Sequence, residues 1–183
     1  MNEVSLNYIN MENGMLEAAI IVIFPMCMAL GAMTDLISMT IPNRISILLA
    51  ASFCVIAPLT GMDFVTFGWH LIAGICVFAG CFALFAINAM GGGDAKILAA
   101  SSLWFGFETQ LVEYLSFVGV FGAALTILVL LLRANSNALM LTRIPMPVYV
   151  YKSSAGVPYG IAIGIAALMA FPNTALFTFA IGA

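Results

Sequence analysis

Two aspartates stand out in this 183-residue chain as side chains that could do chemistry together. Asp35 and Asp94 each sit at the edge of an apolar segment. Two nearby carboxyls can hydrolyse a peptide bond without a metal, because the ionised one takes a proton from water while the protonated one donates to the scissile carbonyl. Ionisable groups at membrane depth are costly and usually functional. The pair predicts a catalytic site of the aspartyl hydrolase type.

The residues around Asp94 suit close contact with an extended substrate. Gly91, Gly92 and Gly93 precede the acid, and glycine lets another backbone approach closely. Lys96 follows two residues after Asp94, a spacing that does not face the acid on a helix. Its ammonium group is as consistent with reaching lipid headgroups as with tuning the acid. The phosphate-loop pattern Gly-x-x-x-x-Gly-Lys-Ser/Thr is absent.

Each acid also has a structural explanation when it is taken alone. Asp94 could cap the start of a helix after a glycine loop, which Asp does well. Asp35 could be an interfacial acid at the end of a membrane span. The functional interpretation is favoured because the two acids fall on the same side of the membrane and border different helices.

Composition places this chain in a lipid bilayer. Its residues are 64% hydrophobic and 7% charged, and the mean hydropathy is +1.16. Five basic residues and a net charge of -3 leave no patch for several phosphates, so nucleic acid is not an expected partner. The four cysteines form no Cys-x-x-Cys pair, and the one histidine has no ligand-type neighbour at metal spacing. We expect no metal and no cofactor.

The apolar runs predict an all-α, polytopic membrane protein with about six transmembrane helices. The runs lie at roughly 16–34, 45–60, 67–90, 95–107, 111–132 and 157–180. The fourth is short, which suggests a half-length or tilted helix whose start is buried in protein. The sixth contains Pro172, which we expect to kink it or end it early. We predict one domain over residues 1–183, with a loop at about 133–156 between helices 5 and 6.

The basic residues predict the orientation of these spans. If the amino terminus is outside, all five basic residues lie on the inner side, as the positive-inside rule requires. These are Arg44, Lys96, Arg133, Arg143 and Lys152. Both termini are then on the outer side, the 133–156 loop is cytoplasmic, and Asp35 and Asp94 are the only acids on the cytoplasmic side.

In three blocks the chain resembles the type IV prepilin peptidases, which are Gly-x-Gly-Asp aspartyl proteases of the membrane. The likeness is to the short TadV/CpaA type of Flp (Tad) pilus systems. The blocks are Asp35 with Ile41-Pro42-Asn43, then Gly91-Gly92-Gly93-Asp94-Ala95-Lys96, and finally Gly156-Val157-Pro158-Tyr159-Gly160-Ile161-Ala162. In this order they cover most of the chain.

The resemblance implies an inner-membrane enzyme that removes the leader peptide of prepilins and pseudopilins at the cytoplasmic face, just before their hydrophobic helix. Asp35 and Asp94 carry over as the catalytic dyad, and Gly91, Gly93 and Lys96 as motif residues that support it. Pro158, Tyr159 and Gly160 carry over as part of the fold around the site.

Longer members add a domain with paired Cys-x-x-Cys motifs that methylates the new amino terminus. Without such motifs we expect no methyltransferase activity, and the sequence predicts no oligomeric state.

Two other classes of function remain open on the residues alone. An ion- or proton-coupled transporter subunit could use the same two acids as a relay, although its acids would be spread through the membrane depth. A structural membrane subunit would explain the glycine series Gly156, Gly160 and Gly164, which suits close helix packing, but not the acid pair.

Overall fold

The computed structural model describes residues 3–135 and 156–182, with side chains described from residue 14. Its regular structure in these residues is helical, with no strand. The helices are α1 (Glu3–Ser38), α2 (Asn43–Leu59), α3 (Phe64–Ala86), α4 (Gly92–Phe105), α5 (Thr109–Ala134), α6 (Tyr159–Ala170) and α7 (Ala175–Ala180). Three apolar stretches are long enough to cross a membrane, namely Gly14–Ser38, Phe64–Ala86 and Thr109–Ala134. The all-helical membrane fold is confirmed, and most of the predicted 133–156 loop lies outside the described residues.

The predicted apolar runs coincide with the helices, but some of the helix ends lie elsewhere. Helix α1 begins at Glu3, well before residue 16, because hydropathy marks the apolar part of a helix and not its polar extension. Helix α3 ends at Ala86, before residue 90, and Asn88 then takes a left-handed φ of 58°. The break expected at Pro172 is confirmed, since Phe171–Asn173 forms a 3-10 turn between α6 and α7.

A tight connection joins α1 to α2 on the side of the bundle where Asp35 lies. Helix α1 stops at Ser38, and Met39 has a left-handed φ of 55°. Pro42 then stands in extended conformation at the N-cap of α2. The connection folds Ile41 inward, where it is only 8% exposed.

Helix α4 is a short, largely buried helix between α2 and α3. It packs on both. The indole nitrogen of Trp104 donates to the Leu49 carbonyl of α2 at 3.0 Å. On the other side, Nδ1 of His70 in α3 lies 2.7 Å from the Leu103 carbonyl. These polar contacts hold the last turn of α4 to both of its neighbours.

Helix α6 lies against α1 through its glycines. A Cβ added at Gly164 would lie 2.9 Å from the Cβ of Ala32, and one added at Gly160 would lie 2.8 Å from the Cβ of Asp35. Gly156 is nearest to Met39. Residue numbers decrease along this series on the α6 side and increase on the α1 side, so the two helices are antiparallel. The close packing predicted from the glycine series is confirmed.

Candidate active site

Asp35 is a buried acid near the end of α1. Its side chain is 5% exposed, and its Oδ2 accepts a hydrogen bond from the backbone N–H of Gly160 at 2.7 Å. Gly160 is the second residue of α6, where backbone N–H groups have no partner inside their own helix. The start of α6 therefore supplies the donor that orients the Asp35 carboxylate.

Asp94 lies in the first turn of α4, outside the three long spans. It is 9% exposed, and its carboxylate turns back over Gly91, where an added Cβ would lie 2.8 Å from Oδ2. Gly91, and not Asp94, occupies the N-cap position. Burial, and then the nearby charge of Asp35, raise the pKa of Asp94 to about 7. An ordinary N-cap side chain is exposed to solvent, so helix capping alone does not account for the burial of Asp94.

The three sequence blocks meet at Ile41. An added Cβ on Gly93 would lie 3.3 Å from the Cβ of Ile41, and one on Gly160 would lie 3.0 Å from its Cδ1. The start of α4 and the start of α6 therefore both approach the α1–α2 connection closely. The aspartates that these elements carry, Asp35 and Asp94, line the same cavity.

Lys96 turns to a different side of α4. Its Nζ donates to the Oδ1 of Asn43 at 3.0 Å, which joins α4 to the first residue of α2. It lines a smaller cavity bordered by Ser46 and Leu71, not the cavity of the two aspartates. This contact links two of the sequence blocks.

Two residues near the acids were not predicted as site residues. Gly160 contributes its backbone N–H, and Ile41 contributes the apolar side chain on which the glycines pack. The sequence signal for both was membership of the Pro-Tyr-Gly and Ile-Pro-Asn blocks. Within the described residues, no three His, Cys, Asp or Glu side chains form a metal-binding group.

Comparison with known proteins gives one match of wide coverage. The sequence model described as the type IV leader peptidase family matches residues 22–161, a stretch that contains Asp35, Asp94 and Gly160. No curated protein and no solved structure matches this chain. The match covers well over half of the 183 residues. The chain therefore belongs to the type IV leader peptidase family and is an aspartic-type prepilin peptidase, a hydrolase.

Proposed function

We propose that Asp35 and Asp94 form the catalytic dyad of this peptidase, and that Gly91, Gly93 and Lys96 support it. One observation carries this proposal. Two buried acids from different helices line one cavity, and the charge of Asp35 helps to raise the pKa of Asp94. Where two buried carboxyls lie near each other, holding one proton between them is favoured, and that is the state that general acid–base hydrolysis requires.

In the proposed reaction Asp35 is the base and Asp94 is the acid. Ionised Asp35 takes a proton from water, and the water oxygen attacks the scissile carbonyl carbon. Protonated Asp94 donates to the carbonyl oxygen, giving a tetrahedral intermediate. Asp35 then passes the proton that it took from water to the peptide nitrogen as the C–N bond breaks, and Asp94 takes back a proton from a hydroxyl of the intermediate as the new carboxyl group forms. The N–H of Gly160 holds one oxygen of Asp35 throughout, which keeps this carboxylate oriented.

The site is proposed to face the cytoplasm from an inner membrane crossed six times, with both termini outside and a single domain over 1–183. Arg44, Lys96 and Arg133 lie at helix ends on the same side of the bundle as the aspartates. Asp63 and Glu113 lie at the opposite helix ends. This separation follows the positive-inside rule. At the base of the proposed cytoplasmic loop, an Arg133 side-chain nitrogen donates to the Gly156 carbonyl at 2.8 Å.

The proposed substrates are Flp-type prepilins and pseudopilins, whose basic leaders would meet the cytoplasmic acids. The resemblance to the short TadV/CpaA type supports this choice. The 183 residues supply a site for cleavage and contain no Cys-x-x-Cys pair. Cleavage of the leader, without methylation, is the activity that we assign to them.

Leader removal can be tested by co-expressing the protein with an Flp-type prepilin and following the size of the pilin on a gel. Asp35→Asn and Asp94→Asn should each abolish the shift to the mature form. Asp63→Asn is the matched control, because Asp63 is an exposed N-cap at the other end of the bundle and Asn caps as well. Full cleavage by both Asn variants of the dyad would exclude the proposed mechanism.

A further inference from the structure

A wide groove lies between α3 and α5 and contains the two aspartates at one end. Its volume is about 1420 Å³. Helix α3 packs mainly on α4, and α5 packs mainly on α6, so the facing sides of α3 and α5 are not packed together. Leu98 of α4 lies at the bottom of the groove, and Phe107 borders it beyond the end of α4.

The groove is apolar along its walls and polar at the aspartate end. Val77 and Leu84 of α3 face it on one side, and Leu115 and Val118 of α5 face it on the other. Its lining on α5 runs from Leu111 to Thr126, a distance of roughly 22 Å at the rise of an α-helix. This length corresponds to about 15 residues of a helix lying in the groove.

We propose that this groove binds the hydrophobic helix of the substrate, with the scissile bond at the aspartate end. The inference rests on the proposed function and adds the place where the substrate is held. The substrate helix is the proposed occupant because the groove leads to the two aspartates. A helix lying in the groove has one end beside Asp35 and Asp94. A cleavage site just before a hydrophobic helix would then meet the acids while the helix packs between α3 and α5.

Glycines on both walls leave room for such a helix. Gly80 of α3 and Gly119 of α5 line the groove, and a Cβ added at either would meet no atom within 4 Å. Small residues let helices approach closely in membranes. A larger side chain at either position would therefore enter the groove without striking the rest of the protein.

The first test fills the groove with Gly80→Leu and Gly119→Leu. Gly68→Leu is the matched control, because Gly68 is also in α3, also has open space at its Cβ, and does not line the groove. Replacing Gly by Leu favours the helix in all three, so each should fold. In liposomes containing a full-length prepilin, the two groove variants should cleave at least tenfold more slowly than wild type and the Gly68 variant at the wild-type rate. Equal rates in all three variants would overturn the groove assignment.

The second test detects the bound helix directly and does not depend on cleavage. A photo-crosslinking residue is placed at Val112 or Leu84 in the groove, or at Val55 on the exposed side of α2, in an Asp94→Asn background. The groove positions should crosslink to the hydrophobic helix of the prepilin, and position 55 should not. Crosslinks to lipid alone at the groove positions would overturn the assignment.

The two proposals fail in different ways. If wild type cleaves and needs both aspartates, but the groove positions do not crosslink the substrate helix, the groove assignment is wrong and the proposed function stands. If the groove crosslinks the substrate while the Asn variants still cleave fully, the catalytic assignment is wrong and the groove stands.

Discussion

At the scale of single residues, the two aspartates differ in what their carboxyls contact. Asp35 accepts a hydrogen bond from the Gly160 N–H, whereas the carboxylate of Asp94 turns back over Gly91 and its pKa is raised to about 7. The types and spacing of the acids could be recognised in the sequence. The role of Gly160 could not, because a backbone N–H leaves no side-chain signature and its direction depends on how α6 packs on α1.

The raised pKa of Asp94 predicts a pH dependence of stability. Its folded pKa lies above the ordinary 3.8, so the folded protein holds a proton that the unfolded chain releases between pH 3.8 and about 7. The contribution of Asp94 to the free energy of unfolding is therefore complete below this pH range and is lost as pH rises through it. Asp94→Asn should remove this part of the decline in melting temperature, measured in detergent across the window.

Asp63→Asn is the control for this measurement. Hydrogen bonds from Thr66 and Val65 lower the pKa of Asp63, so its contribution to stability is lost only as pH falls below the ordinary range. This variant should therefore keep the wild-type decline between pH 3.8 and about 7. An identical decline in wild type and in Asp94→Asn would contradict the assigned environment of Asp94.

Gly160→Ala should damage catalysis more than folding. The new Cβ would lie 2.8 Å from the Cβ of Asp35 and 3.0 Å from the Cδ1 of Ile41, so the acid must shift. Misplacement of a catalytic group by about 1 Å can cost roughly 10²-fold in rate. We expect kcat to fall by that order with KM little changed, and Gly68→Ala to behave as wild type. A wild-type kcat in folded Gly160→Ala would show that Asp35 needs no such positioning.

At the scale of elements, the antiparallel contact of α1 with α6 and the first turn of α4 bring the acids together. The apolar runs predicted these helices, and the glycine series predicted close packing. Helix partners were not predicted, because a run that is apolar on all sides does not show which face meets which neighbour. The start of α1 was misplaced because hydropathy does not mark its polar extension, and the end of α3 because it depends on the local turn at Asn88.

Gly164→Val tests the α1–α6 contact. A Cβ at this position would lie 2.9 Å from the Cβ of Ala32 and 3.1 Å from the backbone oxygen of Met28, which cannot move as a flexible side chain can. Overpacking of this kind costs about 1–3 kcal/mol. We expect a lower melting temperature and slower cleavage, whereas Gly68→Val, which meets open space, should show neither. A melting temperature equal to that of Gly68→Val would contradict the packing.

At the scale of the whole molecule, the separation of charges gives the bundle its proposed direction. The aspartates share one end with Arg44, Lys96 and Arg133, and the opposite end carries Asp63 and Glu113. Charge counting in the sequence predicts that the end with the aspartates faces the cytoplasm, which stays a prediction. The groove between α3 and α5 could not be predicted, because a gap between helices depends on where the third helix, α4, packs.

Cysteine labelling tests the direction. In a variant lacking the four native cysteines, Thr109→Cys at the start of α5 should react with a membrane-impermeant maleimide in cells with a permeable outer envelope. Thr40→Cys, on the aspartate side and also exposed, should react only after the inner membrane is opened. Labelling of Thr40→Cys from outside would reverse the proposed orientation.

The most direct test of the catalytic dyad is the cleavage rate of Asp35→Asn, Asp94→Asn and the double variant, measured with one prepilin in the same liposomes. General acid–base groups contribute roughly 10²–10⁴-fold each, and groups that act as a unit are not additive. We predict that each single variant loses at least that much and that the double variant is no slower than the singles. Near wild-type cleavage by either single variant, or losses that multiply in the double variant, would contradict a shared catalytic role for Asp35 and Asp94.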